Sequence, residues 1–172
     1  MSDGVLETER LLLRPSVVED AEVLRRLWTE RDLRGTAHRR IDGDGRPSFQ
    51  DIAERIAGQR TTGLQLLTVL RDDEVIGYCG LTPNGHGSAD EPELAYELLR
   101  SAHGHGYATE AATAVVEWAK RGGYARLWAG VWDWNLASRR VLEKLAFVEV
   151  RREPPVTHRQ TLITCRELRP DR

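Results

Sequence analysis

His103-Gly104-His105-Gly106-Tyr107-Ala108-Thr109-Glu110-Ala111 is the stretch that decides the fold of this 172-residue chain. It follows a run of alternating character, residues 93–99, that predicts a strand, and it opens a helix that continues through Trp118 and Ala119. A strand, a turn with two glycines and a helix start leave several backbone N–H groups without helical partners, and the helix dipole adds partial positive charge there. Glycine also lets an anion approach the backbone closely. The stretch therefore predicts a turn that binds phosphate or pyrophosphate, although such turns also occur where nothing binds.

A second segment, residues 135–147, follows the apolar run 127–132. Together the two segments resemble the GNAT superfamily of acyl-CoA-dependent N-acyltransferases, and most closely its RimJ/RimL-type branch, whose members acetylate protein N-termini or small amines. The branch's loop pattern Gly-x-Gly-Tyr-Ala-Thr-Glu-Ala is matched throughout from Gly104 to Ala111. The later pattern Asn-x-x-[Ala/Ser]-x-x-x-x-Glu-Lys-x-Gly-Phe is matched at Asn135, Ser138, Glu143, Lys144 and Phe147. Residues 7–15 resemble the branch's first strand, so the resemblance covers nearly the whole chain.

Three positions depart from the family patterns. His103 occupies a slot where the family carries glutamine or arginine. Ala146 replaces the glycine that usually precedes Phe147, which predicts that the turn there does not require a positive φ. Leu142 stands where many family members carry a tyrosine that protonates the departing CoA thiolate, so that tyrosine mechanism does not transfer to this chain.

Composition agrees with an ordinary soluble enzyme that has one core, and residues 1–172 are expected to form a single domain. The formal net charge of -2 and the pI of about 6.2 give no basic footprint for nucleic acid or an anionic membrane. Cys79 and Cys165 lie far apart in the sequence and predict two buried thiols in a reducing compartment. The first ten residues are acidic and polar, and no apolar run approaches the ~20 residues of a membrane span. Cytoplasm is the expected location.

The periodicity predicts a mixed α/β fold, and the resemblance implies a single-domain GNAT-like sheet of about seven strands flanked by about four helices. Between the predicted elements, Asp72-Asp73 forms a hairpin turn, Ser48 caps a helix, and 35–47 and 83–92 are loops. The predicted strands are 11–14, 64–70, 75–81, 93–99, 127–132 and 157–168, and the predicted helices are 19–29, 49–59, 136–145 and the helix that opens at the glycine turn.

The resemblance implies acetyl-CoA as co-substrate and no metal. By position, backbone groups of the strand end at Leu98 and Leu99, with neighbouring Arg100, would pair with the pantetheine arm and the thioester carbonyl. The cofactor-binding set it implies is Leu98, Leu99, His103, Gly104, His105, Gly106, Tyr107, Ala108, Thr109 and Asn135.

Amide formation from a thioester needs a neutral amine, a stabilised oxyanion and a proton for the sulfur. Glu93, in the branch's pattern Glu-x-[Gly/Ala]-Tyr, is the first candidate for the general base, and Glu97 and Glu149 are alternatives. Glu93 and Glu97 are four residues apart on one strand and share a face. Ser138 is the hydroxyl best placed to serve as acid, with bound water as the other source. Asn135 and Ser138 also fit plain helix-capping roles.

Other features carry less functional meaning. His86, His103 and His105 lack the carboxylates or cysteines that would complete a metal site. The tryptophans at 128, 132 and 134 fit core or rim packing, although the last two could line a pocket near Asn135. A basic cluster at 34–40 is diluted by nearby aspartates and fits a solvated loop, an acidic acceptor or the CoA phosphate.

The sequence therefore predicts an acetyl-CoA-dependent N-acetyltransferase that acts by direct attack of a primary amine, either a protein N-terminus or a small molecule. The alternative is a catalytically degenerate module that binds CoA or a partner protein. Whether the chain forms a homodimer stays open.

Overall fold

The computed structural model describes residues 4–31, 48–59, 64–156 and 159–168. The described residues form one mixed eight-stranded sheet with four α-helices. The strands are β1 (Leu6–Glu7), β2 (Leu12–Pro15), β3 (Leu66–Arg71), β4 (Glu74–Thr82), β5 (Glu93–Leu98), β6 (Arg126–Trp132), β7 (Val148–Arg152) and β8 (Thr161–Glu167). The helices are α1 (Ala21–Thr29), α2 (Phe49–Gln59), α3 (Tyr107–Arg121) and α4 (Leu136–Lys144). The predicted α/β class is confirmed.

The sheet has the strand order β1-β2-β3-β4-β5-β6-β8-β7, and every neighbouring pair is antiparallel except β5 and β6. Strands β4 and β5 pair from Gly77 opposite Leu98 to Thr82 opposite Glu93. The parallel strands β5 and β6 pair only where Glu93 lies opposite Trp128. Beyond that position the two strands separate, and the sheet opens into a gap.

The backbone of β5 faces this gap at alternate residues. The amide of Leu99 donates to the carbonyl of Ile76 at 2.8 Å, so residue 99 points toward β4. Because the hydrogen-bonding direction alternates along an antiparallel strand, the backbone groups of Tyr96 and Leu98 point the other way, toward β6. These backbone groups therefore line the gap.

The helices cover the two faces of the sheet. Helices α1 and α2 pack over Tyr78 and Leu99 in one buried cluster. Helices α3 and α4 pack on the opposite face, where Leu94, Leu98 and Leu142 belong to the main core. The alternation of β5 therefore turns Leu94, Tyr96 and Leu98 toward α3 and α4, and Glu93 and Glu97 toward the other face. In the part of the chain that the structure describes, no helix is long and apolar enough to cross a membrane.

Local predictions at turns and caps hold in most places. Asp72 and Asp73 have φ values of 48° and 65°, as the hairpin turn requires. The hydroxyl of Ser48 accepts from the amide of Asp51 at 3.4 Å at the start of α2. Both cysteines are free and buried, as predicted. The loop at 35–47 lies outside the described residues.

The prediction for the turn before Phe147 is wrong. Ala146 has a φ of 58°, in the left-handed region. Helix α4 ends in a reversal in which the amide of Phe147 donates to the carbonyl of Leu142 and the amide of Ala146 donates to that of Glu143, both at 3.0 Å. This pair of hydrogen bonds is a Schellman motif. The motif requires a left-handed backbone conformation at residue 146, even though the residue there is alanine and not glycine.

The end of the chain also differs from the prediction. The last strand is β8, shorter than the predicted 157–168, and it pairs with an additional edge strand, β7. All five residues of β7 are exposed, so the strand lacks the alternation of buried and exposed side chains that makes a strand recognisable in sequence.

Candidate active site

The glycine turn before α3 has the geometry of an anion site. Gly104 and Gly106 have φ values of 80° and 82°, a backbone conformation that residues with side chains rarely adopt. The first hydrogen bond of α3 runs from the amide of Glu110 to the carbonyl of Gly106, so the amides of residues 107–109 form the unsatisfied first turn. A Cβ at Gly104 would meet no atom within 4 Å, and one at Gly106 only the Arg10 guanidinium at 3.6 Å. The turn is therefore open above its amides.

The N-terminal segment braces this turn. The Arg10 side chain donates to the carboxylate of Glu110 at 2.8 Å and to the carbonyl of His105 at 3.1 Å, and it lies over the ring of Tyr107. Thr8 donates to the same carboxylate at 2.6 Å. Burial raises the pKa of Glu110, but the hydrogen bonds from Thr8 and Arg10 outweigh it and hold the pKa below its usual range. Sequence reasoning missed Arg10, because its partner lies 100 residues away.

His103 contacts the end of β5. Its Nε2 atom lies 2.9 Å from the carbonyl oxygen of Leu98. Of the two strand-end residues predicted to meet the pantetheine arm, Leu98 faces the gap, whereas the amide of Leu99 bonds to Ile76 in β4. His103 thus holds the last gap-facing carbonyl of β5.

Glu93, the predicted base, lies where the gap begins. Its Oε1 atom accepts from the amide of Gly130 at 3.0 Å. Its Oε2 atom lies 3.6 Å from Nε2 of His86. A Cβ on Gly130 would lie 3.3 Å from the Glu93 carboxylate. A side chain at residue 130 would therefore crowd the carboxylate. The side chain is 24% exposed, so the carboxylate stays in reach of solvent or an acceptor.

His86 is held over Glu93 by a structured loop. The side-chain oxygen of Asn84 accepts from the amides of His86 and Gly87 at 2.6 and 2.7 Å. Nδ1 of His86 lies 3.3 Å from the Arg151 guanidinium and 3.8 Å from the Glu153 carboxylate. Sequence reasoning missed this arrangement, although an asparagine two residues before the histidine signals a local turn. Among the described residues, no three His, Cys, Asp or Glu side chains form a metal-like group.

The alternative bases are engaged elsewhere. Glu97 forms an ion pair with Arg31 and accepts from the hydroxyl of Tyr78 at 2.9 Å. Glu149 is exposed on β7, and a hydrogen bond from Arg152 lowers its pKa. Strand β7 lies at the sheet edge, two strands beyond β6.

The start of α4 faces Tyr96. Asn135 caps the helix, as predicted, by accepting from the amide of Ser138 at 3.1 Å. The Tyr96 Oη atom lies 2.8 Å from the Ser138 Oγ atom, and the Tyr96 hydroxyl donates to the Ser138 carbonyl at 3.1 Å. Burial raises the pKa of Tyr96 to about 12. The pattern Glu-x-Ala-Tyr contained Tyr96, yet only its glutamate entered the sequence prediction.

Hydrophobic residues complete the surroundings. Leu142 is 3% exposed within the main core. Trp132 and Trp134 stack with ring centroids 5.3 Å apart just before Asn135. Trp128 packs instead on Ile163 and Cys165. The basic cluster at 34–40 lies outside the described residues.

Comparisons with known proteins bear on the family and the fold of this chain. The model of the acetyltransferase (GNAT) domain family matches residues 10–148. An uncharacterized N-acetyltransferase p20 of Bacillus licheniformis is 31% identical over 154 residues, 83% of this chain and 81% of that protein. The structure of yncA, a putative acetyltransferase from Salmonella typhimurium with acetyl-CoA, is 18% identical, has a TM-score of 0.75 and aligns over 95% of this chain and 99% of its own. RimL, a ribosomal L7/L12 alpha-N-protein acetyltransferase in complex with coenzyme A, is 16% identical, has a TM-score of 0.76 and aligns over 97% and 99%.

Proposed function

The chain belongs to the acetyltransferase (GNAT) family, and on that premise we propose that it transfers an acetyl group from acetyl-CoA to a primary amine by direct attack. One observation carries the proposal: the gap between β5 and β6 begins at Glu93 and runs along β5 toward its end, after which the chain forms the open glycine turn at the start of α3. A diphosphate and an acylated arm need an anion site and a slot lined by backbone groups. Residues 1–172 would form one catalytic domain.

The residues present fit acetyl-CoA. The amides of the turn from Gly104 to Thr109 would hold the pyrophosphate, because they point from a helix start into open space. Backbone groups of Tyr96 and Leu98 would pair with the pantetheine arm along the gap, and Asn135 would approach it from the start of α4. His103 and Tyr107 would hold the two ends of the turn in place.

The proposed mechanism uses three groups. Glu93, directly or through water, takes the proton from the acceptor ammonium, and the free amine attacks the thioester carbonyl. A backbone N–H of β5 stabilises the oxyanion that forms. The attacking nitrogen then loses its second proton to water, the C–S bond breaks with its electron pair on sulfur, and Ser138 or a bound water supplies the proton for the departing sulfur. No covalent enzyme intermediate is required.

For the acceptor, we propose a protein N-terminus or a small amine, as in the RimJ/RimL-type branch that the loop pattern resembles. RimL, which shares the fold, is an alpha-N-protein acetyltransferase and supports the first of these. A second candidate function is a CoA-binding module without catalysis. It is favoured by one observation: Leu142 is a buried hydrophobic residue where many family members carry a tyrosine acid.

The test is release of free CoA from acetyl-CoA in the presence of an amine panel and a panel of N-terminal peptides. Amine-dependent release and acetylated product, identified by mass, would support the transferase and separate the two acceptor types. Tight CoA binding without release across both panels would favour the binding module. Failure to bind CoA would overturn both.

A further inference from the structure

Tyr96 and Ser138 form a hydrogen-bonded pair across the opening in the sheet. Tyr96 belongs to β5, on one side of the gap, and Ser138 lies in the first turn of α4, which follows β6 on the other side. The two hydroxyl oxygens are 2.8 Å apart. Where the backbones of β5 and β6 have separated, this side-chain contact links the two sides.

We propose that Tyr96 is a positioning residue that frees the hydroxyl proton of Ser138 to hydrogen-bond the departing sulfur of CoA. This inference rests on the proposed function, because it concerns how the same site stabilises the leaving group. Tyr96 does not occupy the position of the family's tyrosine acid, which corresponds to Leu142 in this chain. The inference therefore describes how the sulfur is stabilised in a site that lacks that acid.

The contact geometry allows two arrangements of the protons. The Tyr96 hydroxyl can donate to the Ser138 carbonyl at 3.1 Å, and then Ser138 donates its own proton back to Tyr96. Alternatively, Tyr96 donates to the Ser138 Oγ atom at 2.8 Å, and the Ser138 proton is free to point elsewhere. A negative charge that develops beside Ser138 favours the second arrangement, because both O–H dipoles then point toward it.

The relative acidities decide between hydrogen bonding and proton transfer. Burial raises the pKa of Tyr96 to about 12, whereas an ordinary thiol has a pKa of roughly 8.5. A proton on Tyr96 therefore stays there when a thiolate is nearby. When the C–S bond breaks, its electron pair remains on sulfur, Ser138 and Tyr96 keep their protons, and water protonates the thiolate. Of the two proton sources left open above, this favours water.

Binding of CoA and desulfo-CoA tests the inference without turnover. Calorimetry on the wild-type protein should show a preference for CoA over desulfo-CoA that grows as the pH rises through the thiol pKa. Because a hydrogen bond to a charged group is lost, Ser138→Ala should reduce that preference about tenfold at high pH. Tyr96→Phe should reduce it by about threefold or more, and should have no further effect in the Ser138→Ala background.

Tyr78→Phe is the matched control. Tyr78 is a buried tyrosine whose hydroxyl donates to Glu97 on the other face of the sheet, so the CoA preference should stay at the wild-type value. In turnover, Tyr96→Phe should lower kcat and leave KM for acetyl-CoA unchanged. If Tyr96→Phe folds poorly, Ser138→Ala keeps the same readout, because it retains the carbonyl that Tyr96 can contact.

The outcomes separate this inference from the proposed function. A wild-type preference for CoA that does not depend on pH, or equal effects of Tyr96→Phe with and without Ser138, would overturn the inference while leaving acetyl transfer intact. A pH-dependent preference with the expected double-mutant behaviour, but no turnover with any amine, would overturn the transferase and leave the Tyr96–Ser138 pair as a group that binds the CoA sulfur in a module without catalysis.

Discussion

The carboxylate of Glu93 and the imidazole of His86 face each other, with 3.6 Å between Oε2 and Nε2. His86 comes from the segment between β4 and β5, which the sequence predicted only as a loop. Asn84 folds that segment so that its histidine lies over β5. The contact brings a second proton-carrying group to the predicted base and distinguishes Glu93 from Glu97, whose carboxylate is held by Arg31.

Replacement of the base should slow the reaction. Glu93→Gln should lower turnover by at least ~100-fold, because general base catalysis typically contributes that much. The pH–rate profile should also move to higher pH, since the neutral amine must then come from solution. Glu22→Gln, an exposed carboxylate on α1, is the control. An unchanged rate and profile in Glu93→Gln would move the role to Glu149 or Glu97.

A side chain in the glycine turn should weaken CoA binding in addition to destabilising the fold. Gly106→Ala places a Cβ above the turn amides and should weaken CoA binding by tenfold or more, as measured by calorimetry. Gly123→Ala is a matched control, because Gly123 has the same φ of 82° and no atom within 4 Å of a built Cβ. Each variant should lose about 1–2 kcal/mol of stability from left-handed strain. Equal CoA affinity in the two variants would contradict the proposed site.

Leu142 should act through packing. Leu142→Ala should reduce the free energy of unfolding by about 2–5 kcal/mol, because the side chain is 3% exposed within the core. Denaturant unfolding gives the value. Should turnover vanish while stability and CoA affinity stay at wild-type levels, Leu142 would have a chemical role that packing does not explain.

The turn after α4 stores backbone strain. Ala146→Gly should raise the free energy of unfolding by about 0.5–1 kcal/mol, because the relief of a φ of 58° exceeds the entropy cost of glycine. Ala137→Gly, at an exposed helical position in α4, should instead destabilise by up to about 1 kcal/mol. Thermal unfolding distinguishes the two, and destabilisation by Ala146→Gly would refute the strain argument.

Acid should weaken the fold through Asp20. Burial raises the pKa of Asp20, but hydrogen bonds from Arg14, the Val17 amide and Thr68 outweigh it and lower the pKa below its usual range. A lowered folded-state pKa stabilises the protein above the unfolded-state value of about 3.9, and this contribution is lost as the pH falls through the folded-state pKa.

Asp20→Asn should therefore cost roughly 3 kcal/mol at pH 7, because it leaves Arg14 without its charge partner. It should also flatten the loss of stability below about pH 4. Asp90→Asn, at an exposed loop position, should change neither quantity. An acid profile of Asp20→Asn that parallels the wild type would place the acid sensitivity elsewhere, for example at Glu110, whose pKa is also lowered.

Much of the fold was predictable because its signals are local. Amphipathic spacing located α1, the cap at Ser48 located the start of α2, and the paired aspartates located the turn between β3 and β4. The exposed edge strand β7 was not predictable, because pairing with β8 forms it and no alternation of its own marks it. The left-handed residue Ala146 was not predictable from its type, since the Schellman bonds at the helix end impose the conformation.

The sequence by itself determined the glycine turn, the Asn135 cap and the placement of Glu93 and Glu97 on one face of β5, because each depends on backbone geometry within a few residues. Tertiary structure alone decided what each of these glutamates contacts. Arg31 reaches Glu97 from the end of α1, and the loop before β5 brings His86 to Glu93. The tertiary structure also decided the contact between Tyr96 and Ser138, which lie 42 residues apart in the sequence. Side chains so distant in sequence meet only when the sheet has opened and the helices have packed, since no local rule fixes their distance.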